Sequence, residues 1–351
     1  MGRTRIKVAG ETAVYHCISR VVAGERLLDD VAKEMLRKML WKTAAFCGLE
    51  VLAYCVMSNH FHVFVRVTAW DAERHLGRDE ILRRYRAFYG EVPGSPDFPS
   101  SEVLAAKFTE GGEEAERWEA RLQARMGDVS EFMKTLKQRF TIWFNKAHRR
   151  FGTLWSERFK SVLVEDSAFA LKTVAAYIDL NPVRAGLVRD PADYRWCSYA
   201  EAMSGNRNMQ RSYGRVVGTS LASDDARGDL ESYRMVLFGK GGKAVREGQP
   251  MIDEVHVKRV LEAGGRVERA ELLRLRARHL TEGVVLGSRA FVRRIGTMQR
   301  EGAREAVRRS SMGNAGEPFS GSKGREATVP VIAGDGEESL VALRKPRCLR
   351  C

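Results

Sequence analysis

Asn59-His60-Phe61-His62-Val63-Phe64-Val65 places two imidazoles one residue apart inside an apolar run. Successive side chains of an extended strand alternate faces, so His60 and His62 share one face while Phe61 points into the other. Two imidazoles one strand repeat apart can share a divalent ion, and Phe61 would anchor their strand in a core. Further along, Tyr177 and Asn181 stand four residues apart and so fall on one helical face. Ala170 and Thr173 extend that face with small side chains, leaving room for an approaching group. A phenol and a carboxamide beside a pair of imidazoles suit metal-assisted phosphoryl transfer. His60, His62 and Asn181 would hold the ion, which would polarise a phosphate oxygen. Tyr177 would attack in line and conserve the bond energy as a phosphotyrosine. The plainer readings are a structural histidine pair, a tyrosine with ring buried and hydroxyl wet, and an asparagine that simply stops a helix before Pro182.

The elements that must position these groups can be read from periodicity. Val14–Ser19 reads as a strand, Val31–Phe46 as an amphipathic helix closed by Gly48, and Val51–Met57 and His60–Val67 as two further strands. Strand, helix, strand, strand is the opening half of a ferredoxin-like α+β fold, an antiparallel sheet with helices on one face. Residues 69–127, with Pro93, Pro96 and Pro99 in the middle, read as an insertion holding helices near 81–89 and 113–126. Ser130 is the expected cap of a second core helix with Phe132, Leu136, Phe140 and Trp143 on its apolar stripe. A strand over 157–165 follows, then a helix capped by Ser167 and stopped by Asn181-Pro182. The catalytic unit is thus expected over 1–204, a helical appendage over 205–300 and a disordered tail over 301–351.

Among 351 residues, 59 Lys and Arg stand against 45 Asp and Glu, a net charge of +14. That balance favours polyanion partners, nucleic acid before anionic membrane. No apolar run reaches the length of a membrane span, and the basic N-terminus lacks the apolar region of a secretory signal, so a cytosolic protein is expected. Cys17, Cys47, Cys55 and Cys197 are expected as reduced core residues, and the terminal Cys348/Cys351 pair has too few companions for a zinc site. Between Ser130 and Lys160 eight cations (Lys134, Lys137, Arg139, Lys146, Arg149, Arg150, Arg158 and Lys160) face only Glu131 and Glu157. Aromatic residues are interleaved among them. Cations for phosphates and rings for unpaired bases are the needs of single-strand binding. Arg184, just after the third helix, is a further candidate to clamp a phosphate.

Four ordered blocks carry a family resemblance: Tyr54–His62, Gly152–Ser161, Tyr177–Gly186 and Tyr194–Tyr199. Together they resemble the REP-associated tyrosine transposases of the single-tyrosine HUH group over about residues 12–200. The resemblance implies a bacterial enzyme acting at the nucleoid. It would cleave and rejoin single-stranded or hairpin DNA with Mg²⁺ or Mn²⁺ through a 5′-phosphotyrosine, as a monomer or homodimer. Matched by motif position, Tyr177 is the nucleophile, His60 and His62 are metal ligands and Asn181 is the third. The insertion and the extension after Gly205 depart from the family pattern. Two other readings are a non-catalytic hairpin-binding regulator and an HUH nickase of the replication or conjugation type.

Overall fold

The computed structural model describes residues 6–8, 10–69, 76–90, 98–219, 226–241, 284–311, 327–332 and 340–344. Its centre is the strand order β2-β3-β1-β4, built from β1 (Ala13–Arg20), β2 (Glu50–Val56), β3 (His60–Val67) and β4 (Lys160–Val164). All three pairings are antiparallel, with Ile18 opposite His62, Arg20 opposite His60 and Cys55 opposite His62. This is the ferredoxin-like arrangement expected from the strand–helix–strand–strand opening.

Helix α1 (Asp30–Cys47) buries Leu36, Leu40, Ala44 and Cys47, spaced three or four residues apart on one face. Asp29 caps its start by accepting from the Ala32 amide, and Gly48 ends it with φ 69°, a left-handed turn that glycine adopts without a Cβ clash. Residues 78–89, 101–110 and 112–123 form helices α2, α3 and α4 within the expected insertion; α3 was not anticipated. These helices do contribute to the core, since Ile81, Tyr85 and Phe88 are buried and Phe88 stacks on Phe46 of α1 at 4.7 Å. Helix α5 (Val129–Ala147) is capped by Asp128, not Ser130: its carboxylate accepts from the Ser130 and Glu131 amides at 2.6 and 3.0 Å. The helix starts two residues earlier than expected, so the Asp128 carboxylate takes the orphan amides of its first turn and Ser130 lies inside it. Phe132, Leu136, Phe140 and Phe144 form its buried stripe, while Trp143 is only partly covered.

Helices α1 and α5 pack together on the Phe61 face of the sheet, the single helical face expected from the sequence. The opposite face is also covered. Helix α6 (Ala168–Asp179), capped by Ser167, lies against β2 and β3 on the side of His62 and Phe64. The short α7 (Asn181–Arg184) follows, then α8 (Ser198–Met203), α9 (Arg207–Val217) and α10 (Ala226–Gly241). Helices α9 and α10 pack on α6, so the residues after 205 begin as part of the same core.

Beyond them, β5 (Val285–Gly287) runs parallel to β4, and α11 (Arg289–Ser311) packs on β5. Where composition led to an expectation of an unstructured tail, β6 (Ala327–Ile332) and β7 (Leu340–Arg344) pair with each other and β7 with β5. The four core cysteines are buried and reduced, whereas Cys348 and Cys351 lie outside the described residues. No described helix is long and apolar enough to cross a membrane.

Candidate active site

The antiparallel register places His16, Ile18 and Arg20 of β1 on the same face as Phe64, His62 and His60 of β3. Helix α6 lowers Tyr177 onto this face. The Tyr177 ring centroid lies 5.8 Å from that of His62 and 6.0 Å from that of His16, and the His60 and His62 centroids are 5.0 Å apart. Tyr177, His60 and His62, separated by more than a hundred residues in the chain, therefore meet within one protomer.

Each candidate ligand has its Nδ1 engaged. His60 Nδ1 lies 2.6 Å from the Asn59 side-chain oxygen, which can only accept, so Nδ1 carries the proton and Nε2 keeps its lone pair. His62 Nδ1 lies 2.9 Å from His16 Nε2, with both rings buried and stacked at 5.1 Å. Burial depresses the His60 pKa to about 4, assisted by the nearby Arg20 charge. It holds His62 well below the ordinary range too, with His60, His16, Arg184 and Arg20 adding to the effect. Both imidazoles are thus neutral at physiological pH, the form that binds a metal.

Tyr177 is 7% exposed, and its hydroxyl has no hydrogen-bond partner among the described residues. Burial raises its pKa, opposed by the positive charges of Arg184 and Arg20. Arg184 lies with its guanidinium carbon 4.4 Å from the Tyr177 ring centroid and donates Nη2–H to the Tyr177 carbonyl. Its Nη1 is buried without a partner. Asn181 donates its amide to the Tyr177 and Ile178 carbonyls at 3.1 and 3.0 Å, closing the end of α6 and leaving its oxygen out of these bonds.

The donor set suits a divalent cation: two neutral imidazoles on one face, each with its Nδ1 occupied. Among the described residues no three of His, Cys, Asp and Glu converge as ligands. A third ligand drawn from the described residues would be a neutral oxygen.

The expected DNA-contacting cations fall into different surroundings. Lys160 starts β4 opposite Ile18, hence on the histidine face, and pairs with Glu157 at 3.2 Å. Lys137 donates to the Glu157 carbonyl at 2.9 Å and sits over Trp155. Lys134 is exposed and pairs with Glu131 on its own helix. Arg149 and Arg158 are exposed, and Arg150 is half-buried. Arg139 packs under the insertion, its guanidinium 4.5 Å from the Phe88 ring centroid and 5.4 Å from that of Tyr89. The residues that sequence reasoning missed are His16, Arg20 and Asn59. The signal was there: His16 and Arg20 share a parity in β1, and ferredoxin-like order sets β1 beside the histidine strand.

A ferredoxin-like sheet carrying a two-histidine strand beneath a tyrosine-bearing helix defines the class of site. Residues 11–73, which span β1 to β3 and both histidines, match the family model described as "Transposase IS200 like", and over this segment the chain is similar to that family. A solved structure, described as a REP-associated tyrosine transposase bound to a REP hairpin, matches at 15% identity with a TM-score of 0.37, covering 64% of this chain and 96% of that one. No curated protein matches the chain.

Proposed function

We propose that the protein cleaves and rejoins single-stranded DNA at hairpin-forming repeats through a covalent phosphotyrosine. The carrying observation is the meeting of the Tyr177 ring with His62, at 5.8 Å, in one chain. Tyr177 Oη attacks the phosphorus and the P–O3′ bond breaks. The departing O3′ takes a proton and becomes a 3′-hydroxyl, while the 5′-phosphate remains on Oη. Attack by a second 3′-hydroxyl reverses the step, joining the strands and releasing the phenol.

His60 Nε2, His62 Nε2 and the Asn181 oxygen would hold Mg²⁺ or Mn²⁺. When bound, the ion supplies Lewis-acid polarisation of a phosphate oxygen. His62 is competent as a ligand only when its Nδ1–H donates to His16 Nε2, so His16 selects the useful tautomer. Arg184 favours a phenolate on Tyr177 from beneath the ring, yet burial keeps the resting phenol protonated. The phenol proton must therefore leave Oη as the attack on phosphorus proceeds.

The test is electrophoresis under denaturing conditions after mixing the chain with a labelled single-stranded hairpin. Tyr177→Phe is expected to lose the covalent adduct and retain hairpin binding. An adduct that survives this change removes Tyr177 from the mechanism. Hairpin binding with no adduct by the unaltered chain would fit a non-catalytic regulator instead.

A further inference from the structure

The α5–β4 loop presents a side chain that the proposed chemistry leaves unused. Phe151 is 96% exposed, the most exposed of the large apolar residues described. Solitary surface apolar residues are ordinary in themselves. Here the backbone is shaped around one. Arg149 (φ 53°) and Gly152 (φ 87°) both turn left-handed and bracket Arg150 and Phe151. For Arg149 that conformation opposes its own Cβ, so the loop is held against local preference.

Asn145 does the holding: its carbonyl accepts from the Arg150 amide at 2.9 Å and its side chain donates to the Gly152 carbonyl at 3.0 Å. His148 stacks on Phe144 at 4.1 Å and fixes the near end. The ring is thus displayed by a stapled turn.

Its setting is cationic and next to the site. Lys146, Arg149 and Arg158, close to it in the chain, are exposed, and the one acid in residues 148–159, Glu157, is paired with Lys160. The far end of the loop is bonded to the end of β1 that faces His60. Ser156 donates to the Arg20 carbonyl at 3.0 Å, Val22 donates to the Leu154 carbonyl at 2.9 Å, and Arg20 lies opposite His60. The histidine edge of β1 and this loop are thus joined through Arg20 and Val22.

We infer that Phe151 is a base-stacking finger for an unpaired nucleotide of the DNA strand, with the loop cations taking the neighbouring phosphates. This rests on the reading of the chain as one acting on single-stranded DNA. Every base offers a face to a ring, so the contact is indifferent to sequence; in a duplex those faces are already stacked.

The experiment is fluorescence anisotropy of the full chain with a labelled oligo(dT) strand, the same strand carrying abasic residues, and a blunt duplex. Phe151→Ala is expected to weaken oligo(dT) binding by about tenfold while Phe151→Trp retains it. The abasic strand and the duplex are expected to bind the unaltered chain and Phe151→Ala alike, and the salt dependence to stay the same because no charge is removed. Equal oligo(dT) affinity for Phe151→Ala and the unaltered chain overturns the inference, as does an equal loss on the abasic strand. Failure of the covalent chemistry would appear separately, as absence of an adduct with oligo(dT) affinity still dependent on Phe151.

Discussion

Two side chains near the end of α6, Tyr177 and Asp179, sit two residues apart in opposite polar surroundings. Asp179 is fully buried and saturated: the Tyr213 and Tyr233 hydroxyls donate to it at 2.7 and 2.6 Å, and the Ser198 hydroxyl lies at 2.9 Å. These partners come from α8, α9 and α10, so the carboxylate ties the extension after residue 205 to the tyrosine helix. Tyr177 is nearly as enclosed, but among the described residues its hydroxyl has no partner and the guanidinium beneath it has no counter-charge. A closed network contributes to the fold. An enclosed polar group with capacity to spare is suited to receive a ligand.

The largest effect that can sharpen this contrast is chemical. His62→Ala removes one of the two imidazoles proposed as metal ligands, and adduct formation should fall at least about a thousandfold, with folding retained by circular dichroism. A variant that still forms the adduct at the unaltered rate would dissolve the distinction between the two clusters.

The next effect falls on stability. Asp179→Ala removes the shared acceptor of two buried tyrosine hydroxyls, while Ser198 keeps the Tyr54 carbonyl, and should cost about 3 kcal/mol in chemical denaturation. The Asp179 network also carries a pH signature. Burial lifts its pKa from 3.8 to about 6 in spite of the hydroxyl donors. The folded state then holds a proton that the unfolded chain has lost between about pH 4 and 6, so this group's contribution to stability grows as pH falls through that window. His60, with its pKa depressed to about 4, acts in the other direction: the unfolded chain binds its proton first, and stability is lost on acidification below about 6.5. Denaturation at a series of pH values should show the acid loss steepened in Asp179→Ala.

A smaller effect tests His16. If it fixes the His62 tautomer, His16→Ala should weaken Mn²⁺ binding, measured by calorimetry without DNA, by about tenfold or more. Unchanged Mn²⁺ affinity would make His16 a packing residue.

What the sequence made legible follows from what is local. The period of two set His60 and His62 on one face, and the helical repeat set Tyr177 and Asn181 together; neither needs knowledge of distant residues. Roles that depend on strand order or on a covering element were hidden. His16 acquires its partner only because β1 runs beside β3. Arg139 counts as a phosphate cation in a linear charge tally, yet Phe88 and Tyr89, some fifty residues earlier, cover it. Arg184 is a candidate to clamp a phosphate, but that it lies under the tyrosine ring could not be read from its place after the helix. Asp179 looked like any polar residue near a helix end, because the three hydroxyls that define it arrive from later helices. Charge counting assumes exposure, and long-range packing decides exposure.

One substitution, applied at three buried tyrosines, separates the two clusters most cleanly. Tyr213→Phe and Tyr233→Phe each delete a donor to the buried Asp179 carboxylate, and should each lower stability by about 1 to 3 kcal/mol. Tyr177→Phe deletes a hydroxyl with no partner among the described residues, and the ring contacts with His16, His62 and Arg184 survive unchanged. Its stability in urea should therefore stay within about 0.5 kcal/mol of the unaltered chain. A loss at Tyr177 as large as at Tyr213 would mean that its hydroxyl is engaged in the folded protein, and with that the capacity to take up an incoming phosphate would be gone.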